Sequence, residues 1–208
     1  MLSNKNNILA FNSFLDQPKI PYMIIDFLME SNSTSSENFW KLLQYPDKDA
    51  LDRPNLTIDE KLKLIWTPKQ SNWEHEEDFS VFLKPLIGNL LDTAKQQTQL
   101  RLFEYSLIPE DRMQSIIVYE FDIITNEKTS MVYYDGVMCE RCDLVKAFLL
   151  DVLNGADIGI GQNFLRFDRE LSRSCQSLTN ISNSKVFYGK SLFLALLYVY
   201  PEVGGDCG

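Results

Sequence analysis

The sequence predicts an α+β protein: a small mixed, mostly antiparallel sheet packed by helices, with a helical N-terminal region. Apolar residues at helical spacing dominate the first third of the chain. Residues 100–107 and 115–125 then alternate between apolar and polar, as strands do, and an amphipathic helical segment follows at 140–153. Helices and strands do not alternate regularly, so a parallel sheet built from βαβ units is not expected.

Two helices are predicted in the N-terminal region. Residues 22–30 have apolar side chains at helical spacing, and the preceding Pro21 suits a first helical turn. The second helix, 37–44, follows Thr34 and Glu37, which have the spacing of a capping box. Both segments therefore combine a start signal with an apolar face to bury.

A third helix and a first strand are predicted next. Thr57 and Glu60 form a second capping box, and the apolar residues as far as Trp66 are assigned to the helix that it opens. After a polar, acidic loop at 68–78 the pattern changes to alternation, which predicts a strand at 79–86. This change of period marks the passage from the helical region to the sheet.

The centre of the sheet is predicted to be an antiparallel hairpin. The connection between the alternating segments 100–107 and 115–125 is short, and short connections join antiparallel strands. The helix at 140–153 carries a continuous apolar stripe that must be buried. We therefore expect this helix to pack on the hairpin, with Phe121 and Phe148 in one core.

Two C-terminal strands complete the sheet within a single domain. Residues 163–168 and 186–200 are rich in the aromatic and aliphatic residues typical of strands. We divide the chain into an N-terminal arm at 1–17, one α+β domain at 18–200 and a C-terminal tail at 201–208. A chain of 208 residues is long enough to bury such a core.

Composition and charge exclude several classes of partner. The chain is 45% hydrophobic and 24% charged, as globular domains are, and its net charge is −9. An acidic surface repels phosphate backbones and anionic lipid heads, so binding to nucleic acid or to a membrane is not expected. The sequence contains no apolar run of about 18 residues and no signal-peptide pattern, so neither a membrane span nor export is expected.

The cysteines are predicted to be reduced thiols without a metal. Cys139 and Cys142 have the spacing of half a zinc site, but Cys175 and Cys207 are isolated and His75 is the only histidine. We expect neither a metal nor a disulfide between Cys139 and Cys142. The two cysteines are interpreted as small residues at a helix start.

No catalytic or cofactor site is predicted either. Gly159-Ile-Gly161 lacks the third glycine of a dinucleotide fingerprint, and Gly189-Lys190-Ser191 lacks the upstream glycine of a phosphate loop. We interpret Gly189 as a glycine within a strand or at a bulge. Asp168 and Glu170 are adjacent to arginines and are interpreted as part of a salt-bridge face, not as acid–base catalysts.

The candidate subunit contacts are aromatic or aliphatic residues in the arm and beside the acidic loop, together with arginines near the penultimate strand. Apolar residues outside clear periodic elements are each compatible with burial in the domain's own core, but taken together they favour burial against another subunit. These candidates are Phe11, Phe14, Leu15, Trp66, Trp73, Arg166, Arg169 and Arg173.

Short stretches of the chain resemble virion neck proteins of tailed bacteriophages. The N-terminal likeness lies in Phe39-Trp-Lys-Leu-Leu-Gln-Tyr45 and in residues 49–57. The likeness covers roughly residues 20–200, and its later part lies in residues 116–124, 144–155, 164–168 and 187–190. The resemblance implies the fold of a tail terminator or head–tail connector, and it carries over no catalytic residue.

The resemblance also implies a place and a set of partners. It implies a homo-oligomeric ring in the virion neck, assembled in the host cytoplasm between portal or adaptor and tail proteins, through which DNA passes without specific binding. Two alternatives remain open from the residues themselves. One is a phage protein outside the virion that binds a host or phage partner as a small oligomer. The other is an enzyme, which would need residues such as His75, Cys139 and Asp168 to converge.

Overall fold

The computed structural model confirms the predicted α+β class, with helices, one five-stranded mixed sheet and one two-stranded sheet. The structure describes residues 14–66, 78–85, 97–110, 114–159, 164–174 and 186–199. For residues 14–16, 173–174 and 199 it describes the backbone alone.

The N-terminal region is helical, as predicted. Pro21 lies in the first turn of α1, where its missing N–H leaves no hydrogen bond unmade. None of the helices in the described ranges is long and apolar enough to cross a bilayer. The elements are a 3₁₀ helix at Phe14–Lys19, α1 at Ile20–Glu30, α2 at Thr34–Gln44, a 3₁₀ helix at Ala50–Asp52 and α3 at Ile58–Lys63.

The two predicted capping boxes have different outcomes. The box at α3 is confirmed: the Thr57 hydroxyl accepts a hydrogen bond from the Glu60 N–H at 3.3 Å, and the Glu60 carboxylate accepts one from the Thr57 N–H at 2.8 Å. The capping box predicted at Thr34 and Glu37, at the start of α2, is wrong. Ser33 caps that helix by accepting from the Ser36 N–H at 3.1 Å, because Ser33 has the extended backbone of a cap while Thr34 is already helical.

The main sheet has the strand order β1-β2-β3-β7-β6. The predicted antiparallel hairpin is confirmed as β2 paired with β3, and among the described strands of this sheet only β1 runs parallel to its neighbour, β2. Of the strand predicted at 79–86, position 86 lies outside the described residues, and within 79–85 the strand is limited to the two residues of β1. The strands are β1 Val81–Phe82, β2 Thr98–Pro109, β3 Gln114–Asn126, β6 Leu165–Phe167 and β7 Phe187–Val199.

A second hairpin lies where the sequence predicted only a connection. A 3₁₀ helix at Glu127–Thr129 leads into β4, Met131–Tyr134, which pairs with β5, Val137–Glu140. The turn residues Asp135 and Gly136 have φ angles of 49° and 77°. Asp-Gly suits such a two-residue turn, because Gly adopts positive φ freely and Asp tolerates it.

One face of the main sheet forms the core with the helices. The predicted helix is confirmed as α4, Arg141–Leu153, and a second C-terminal helix, α5, spans Arg169–Ser174. Phe121 of β3 and Phe148 of α4 belong to one hydrophobic core together with residues of α1 and α2. The predicted packing of this helix on the hairpin is therefore confirmed.

A buried arginine holds three parts of this core together. Arg141, at the start of α4, is fully buried, and burial lowers the pKa of its guanidinium to about 10. Its N–H groups donate to backbone carbonyls, including those at the end of α2, where carbonyls lack helical partners. The acceptors are the carbonyl oxygens of Thr129 (2.7 Å), Leu42 (2.9 Å), Tyr45 (2.9 Å), Pro46 (3.0 Å) and Asp47 (2.8 Å).

Candidate protein-contact surfaces

Trp66, one of the predicted contact residues, is buried within its own chain. Helix α3 ends before it, and the neighbouring Ile65 forms a β-bridge with Val81. The Trp66 ring stacks on Phe82 with centroids 6.4 Å apart, and the Lys84 ammonium lies 4.0 Å from the ring centroid. Its indole therefore contributes to the packing of the domain edge.

The other predicted contact residues fall into three groups. Arg166 and Arg169 are exposed, on β6 and at the start of α5. The backbone at Phe14, Leu15 and Arg173 is helical, while their side chains lie outside the description. Phe11 and Trp73 lie outside the described residues, as does most of the predicted arm. Gln17, at the end of that arm, is buried, and its amide donates to the Glu104 carboxylate.

The sequence did not single out the most exposed apolar surface of the main sheet. Ile108, Ile116 and Leu197 are direct cross-strand neighbours on β2, β3 and β7. Ile108 is 50% exposed and Leu197 44% exposed. Side chains alternate along a strand, and the adjacent Ile117 and Leu196 belong to the helix-covered core, so this row lies on the opposite face.

Aromatic and basic residues extend this row. Phe164 is 45% exposed and forms a β-bridge with Asp157, directly before Leu165, which pairs with Leu196 of β7. Tyr105 is half exposed, with its ring edge-on to the Phe193 ring at 5.1 Å. Arg166 pairs with Ala195 on the same face. We call Tyr105, Ile108, Ile116, Phe164, Arg166 and Leu197 the sheet patch.

A second exposed apolar surface lies on the β4–β5 hairpin. Met131 and Tyr133 are exposed on its outer face. On the other face, Val132 is fully buried and Tyr134 contacts the Phe148 ring edge-on at 5.7 Å. Val137 is 62% exposed, and its pairing with Tyr134 places it on that second face. We call Met131 and Tyr133 the hairpin patch.

The backbone around the hairpin patch is fixed to the domain. The Tyr133 N–H donates to the Lys48 carbonyl at 2.8 Å, and the Arg141 N–H donates to the Ser130 carbonyl at 2.7 Å. Because the Arg141 guanidinium also holds Thr129, both ends of the hairpin connect to the same buried side chain. The patch is thus presented on a rigid support.

Strand β3 begins beside the sheet patch and ends before the segment that leads to the β4–β5 hairpin. Ile116 is near the start of that strand, and the chain leaves it at Asn126 to enter the hairpin. Ten residues of strand at about 3.3 Å each separate these points by about 33 Å. Exposed charges of both signs lie beside each patch: Arg166 and Glu110 at the sheet patch, and Glu127 and Lys128 before the hairpin patch.

A pair of carboxylates lies on the face of the main sheet opposite the helix-covered core. Glu120 and Asp122 lie two residues apart on β3, and the Ser191 hydroxyl donates to Asp122 at 2.6 Å. Burial, followed by the charge of Asp122, raises the pKa of Glu120 to about 7. Burial also raises the pKa of Asp122, against the effect of Ser191 and the Arg101 charge. The Glu120 carboxyl therefore titrates near neutral pH, beside an Asp122 carboxyl that is held by the Ser191 hydroxyl.

The cysteine pair is not arranged as an activated thiol. Cys139 lies in β5 and Cys142 in the first turn of α4, where the Cys142 thiol contacts the Ile123 carbonyl at 3.7 Å. Burial raises the pKa of Cys142 to about 12, so the thiolate is disfavoured. Over the residues with described positions, no three His, Cys, Asp or Glu side chains form a metal-binding group.

The lysine of Gly189-Lys190-Ser191 is part of an ion-pair cluster. These residues lie inside β7, in continuous register with β3. The prediction that Gly189 lies within a strand is therefore confirmed, and the prediction of a bulge at this position is wrong. The Lys190 ammonium lies 2.8 Å from a Glu140 carboxylate oxygen and 2.7 Å from an Asp143 oxygen. Asp168, also considered for acid–base work, accepts from backbone N–H groups in the first turn of α5.

Comparison with known proteins gives one family. The model of a family described as YomW matches residues 36–196, which is about three quarters of the chain. The matched segment begins in α2 and ends in β7, so it includes both patches except for the final Leu197. A search of curated proteins finds no match.

Proposed function

The chain belongs to the YomW family, which is phage-associated, and on this premise we propose that it is a structural subunit of a phage particle. In this proposal the protein forms a homo-oligomeric ring in the neck, as a tail terminator or head–tail connector. The ring lies between portal or adaptor and tail proteins, and DNA passes through it. The observation that carries the proposal is the exposed row of the sheet patch.

A solvent-exposed row of large apolar side chains on adjacent strands supports burial by another protein. Ile108 and Leu197 each expose close to half of their surface, and Ile116 between them is half-buried. Contiguous apolar surface of this kind is typical of protein contacts, whereas isolated exposed apolar residues are ordinary. The row is built on paired strands, so little ordering free energy is lost when a partner binds.

The overall charge supports a channel through which DNA moves without being gripped. Proteins bind a phosphate backbone with cationic side chains that displace its counterions. A chain with a net charge of −9 instead repels that backbone. A ring of such subunits multiplies this charge, and repulsion keeps the DNA from adhering to the channel wall.

The proposal is tested by the composition of particles and by one substitution. We expect the protein in purified particles at several copies each, and we expect Leu197→Glu to lower its incorporation and the yield of tailed, DNA-filled particles. Ile58→Glu is the matched control, because Ile58 is also an exposed apolar residue but lies on α3, outside both patches. Absence of the protein from particles would reject the proposal and favour a phage protein that acts outside the virion.

A further inference from the structure

We propose that Asn154–Gly155 is a site of spontaneous deamidation that the edge of β6 holds inactive, so that the modification indicates chains in which this edge has opened. The sequence contains one Asn-Gly pair, and asparagine is among the thermolabile residues of proteins. The pair directly follows α4, and both of its residues are exposed. Glycine also leaves its backbone nitrogen unshielded, because it has no side chain.

The reaction needs no partner other than water. The Gly155 nitrogen attacks the Cγ atom of the Asn154 side chain, the new N–Cγ bond closes a succinimide ring, and the Cγ–Nδ2 bond breaks. The proton of the Gly155 N–H leaves with the side-chain nitrogen as ammonia. Water then opens the ring at either carbonyl, which gives aspartate or, where the main chain passes through the former side chain, isoaspartate.

Two hydrogen bonds hold the reacting groups against β6. The Gly155 N–H, which supplies the attacking nitrogen, donates to the Leu165 carbonyl at 2.7 Å. The Asn154 side chain, which supplies the attacked carbon, accepts from the Phe167 N–H through Oδ1 at 3.0 Å. The Leu165 N–H also donates to the Ala156 carbonyl at 3.1 Å. The segment after α4 is therefore paired with the edge of β6 that faces away from β7, because successive residues of a strand bond to opposite sides.

The backbone conformation of Asn154 keeps the two reacting atoms apart. Ring closure needs the Cβ atom and the Gly155 nitrogen on the same side of the Cα–C bond, at a ψ of about −120°, which lies outside the regions that L residues favour. Asn154 has a φ of −72° and a ψ of 113°, so its Cβ lies on the far side of that bond. Because both groups are bonded to β6, the rotation that brings them together requires this segment to separate from β6.

The isoaspartate product does not restore the same edge. Its former side-chain carbon lies in the main chain, which lengthens the connection between α4 and Gly155 by one methylene. The Gly155 N–H is then displaced from the Leu165 carbonyl. Since Arg166 of the sheet patch lies on β6, the modification alters the support of that patch.

The first test compares the folded chain with the chain unfolded in guanidinium chloride at the same mildly alkaline pH. Peptide mapping by mass spectrometry measures the conversion of amide to acid at Asn154. We expect the folded chain to deamidate there at least about tenfold more slowly. This slowing should equal, within about threefold, the slowing of hydrogen exchange at the Gly155 N–H, since both processes need the bond to Leu165 broken.

Two substitutions of the same kind distinguish opening of β6 from unfolding of the whole chain. Leu165→Ala loosens β6, and Leu28→Ala is the matched control, because Leu28 is equally buried but lies on α1. Each variant is measured below the denaturant concentration at which its unfolding begins. We expect Leu165→Ala to deamidate about tenfold faster than Leu28→Ala.

Three results would overturn the inference. One is a folded chain that deamidates at Asn154 as fast as the unfolded chain, or an unfolded chain that does not deamidate there. Another is an equal rate for Leu165→Ala and Leu28→Ala, which would assign the reaction to global unfolding. The third does not depend on whether Leu165→Ala folds: deamidation of the unmodified chain much faster than its Gly155 N–H exchange allows would contradict the role of β6.

Discussion

The Nη1 group of Arg141 donates a hydrogen bond of 2.9 Å to the carbonyl oxygen of Leu42, which lies 99 residues earlier in the chain. This contact joins the first turn of α4 to the last turn of α2. The same guanidinium holds Thr129, immediately before the β4–β5 hairpin, at 2.7 Å. One side chain thus connects two helices and the segment that leads into the β4–β5 hairpin.

Replacement of Arg141 should destabilise the fold strongly. We expect Arg141→Lys to lower the free energy of unfolding by about 3 kcal/mol, since an ammonium cannot satisfy five dispersed carbonyls. Urea unfolding followed by circular dichroism measures this. Arg53→Lys, at an exposed ion pair with Asp47, is the control and should change stability by less than about 1 kcal/mol. Equal effects of the two substitutions would show that the Arg141 contacts contribute little.

The buried pair of Lys61 and Glu37 should be sensitive to loss of one partner. Their charged groups are 2.7 Å apart, and the Lys61 side chain is 2% exposed. Lys61→Met should lower the free energy of unfolding by about 3 kcal/mol, because it leaves the Glu37 carboxylate without its cation. Adding Glu37→Gln should recover part of that loss. A double variant less stable than Lys61→Met would contradict this account.

Stability should fall as the pH rises through the Glu120 titration. The pKa of Glu120 is about 7 in the folded chain against 4.5 for an ordinary glutamate. The folded state therefore binds more protons than the unfolded state between these values, and its stability decreases from pH 4.5 to pH 7. Glu120→Gln removes this part of the decrease, about 1 kcal/mol after allowance for the half-exposed site.

The measurement is thermal or urea unfolding of Glu120→Gln and the unmodified chain at pH 4.5, 6 and 7.5. The stability difference should grow with pH in favour of Glu120→Gln. Glu127→Gln removes an exposed carboxylate and is the matched control. A difference that does not change with pH would show that Glu120 has an ordinary affinity for protons.

The two cysteines should differ in reactivity. Cys142 is fully buried and burial raises its pKa to about 12, whereas Cys139 is half-buried. A short pulse of iodoacetamide at pH 8 should therefore label Cys139 before Cys142, as read from the peptides that contain them. Both should react after unfolding in urea. Rapid labelling of Cys142 in the folded chain would contradict its burial.

The sequence predicted the elements whose signals are local. The hairpin of β2 and β3 has long alternating strands, and α4 has an apolar stripe that ends at Asn154 and Gly155. The β4–β5 hairpin was missed, because strands of four residues show too little alternation to separate them from a loop. Its remaining signal was the Asp135-Gly136 pair, which is typical of a two-residue turn.

The candidate surfaces required information that no single segment contains. Ile108, Ile116 and Leu197 become neighbours only through the register of three strands. Alternation assigns each of these residues to one face of its own strand, but it does not show which face of the sheet the helices cover. Arg141 stood between the two cysteines of an apparent metal motif, and its long-range acceptors have no sequence signature. Of the predicted contact residues, Arg166 lies in the sheet patch and Trp66 is buried in its own chain.

The position of β7 has a consequence for the order of events during synthesis. This strand is the last described element of the chain, yet it lies between β3 and β6 inside the sheet. The nascent chain can form the β2–β3 hairpin early, but β3 keeps an unpaired edge until the ribosome has passed residue 199. Leu197 joins Ile108 and Ile116 only at that moment. A chain that terminates before β7 therefore lacks Leu197 of the sheet patch and leaves the edge of β3 unpaired.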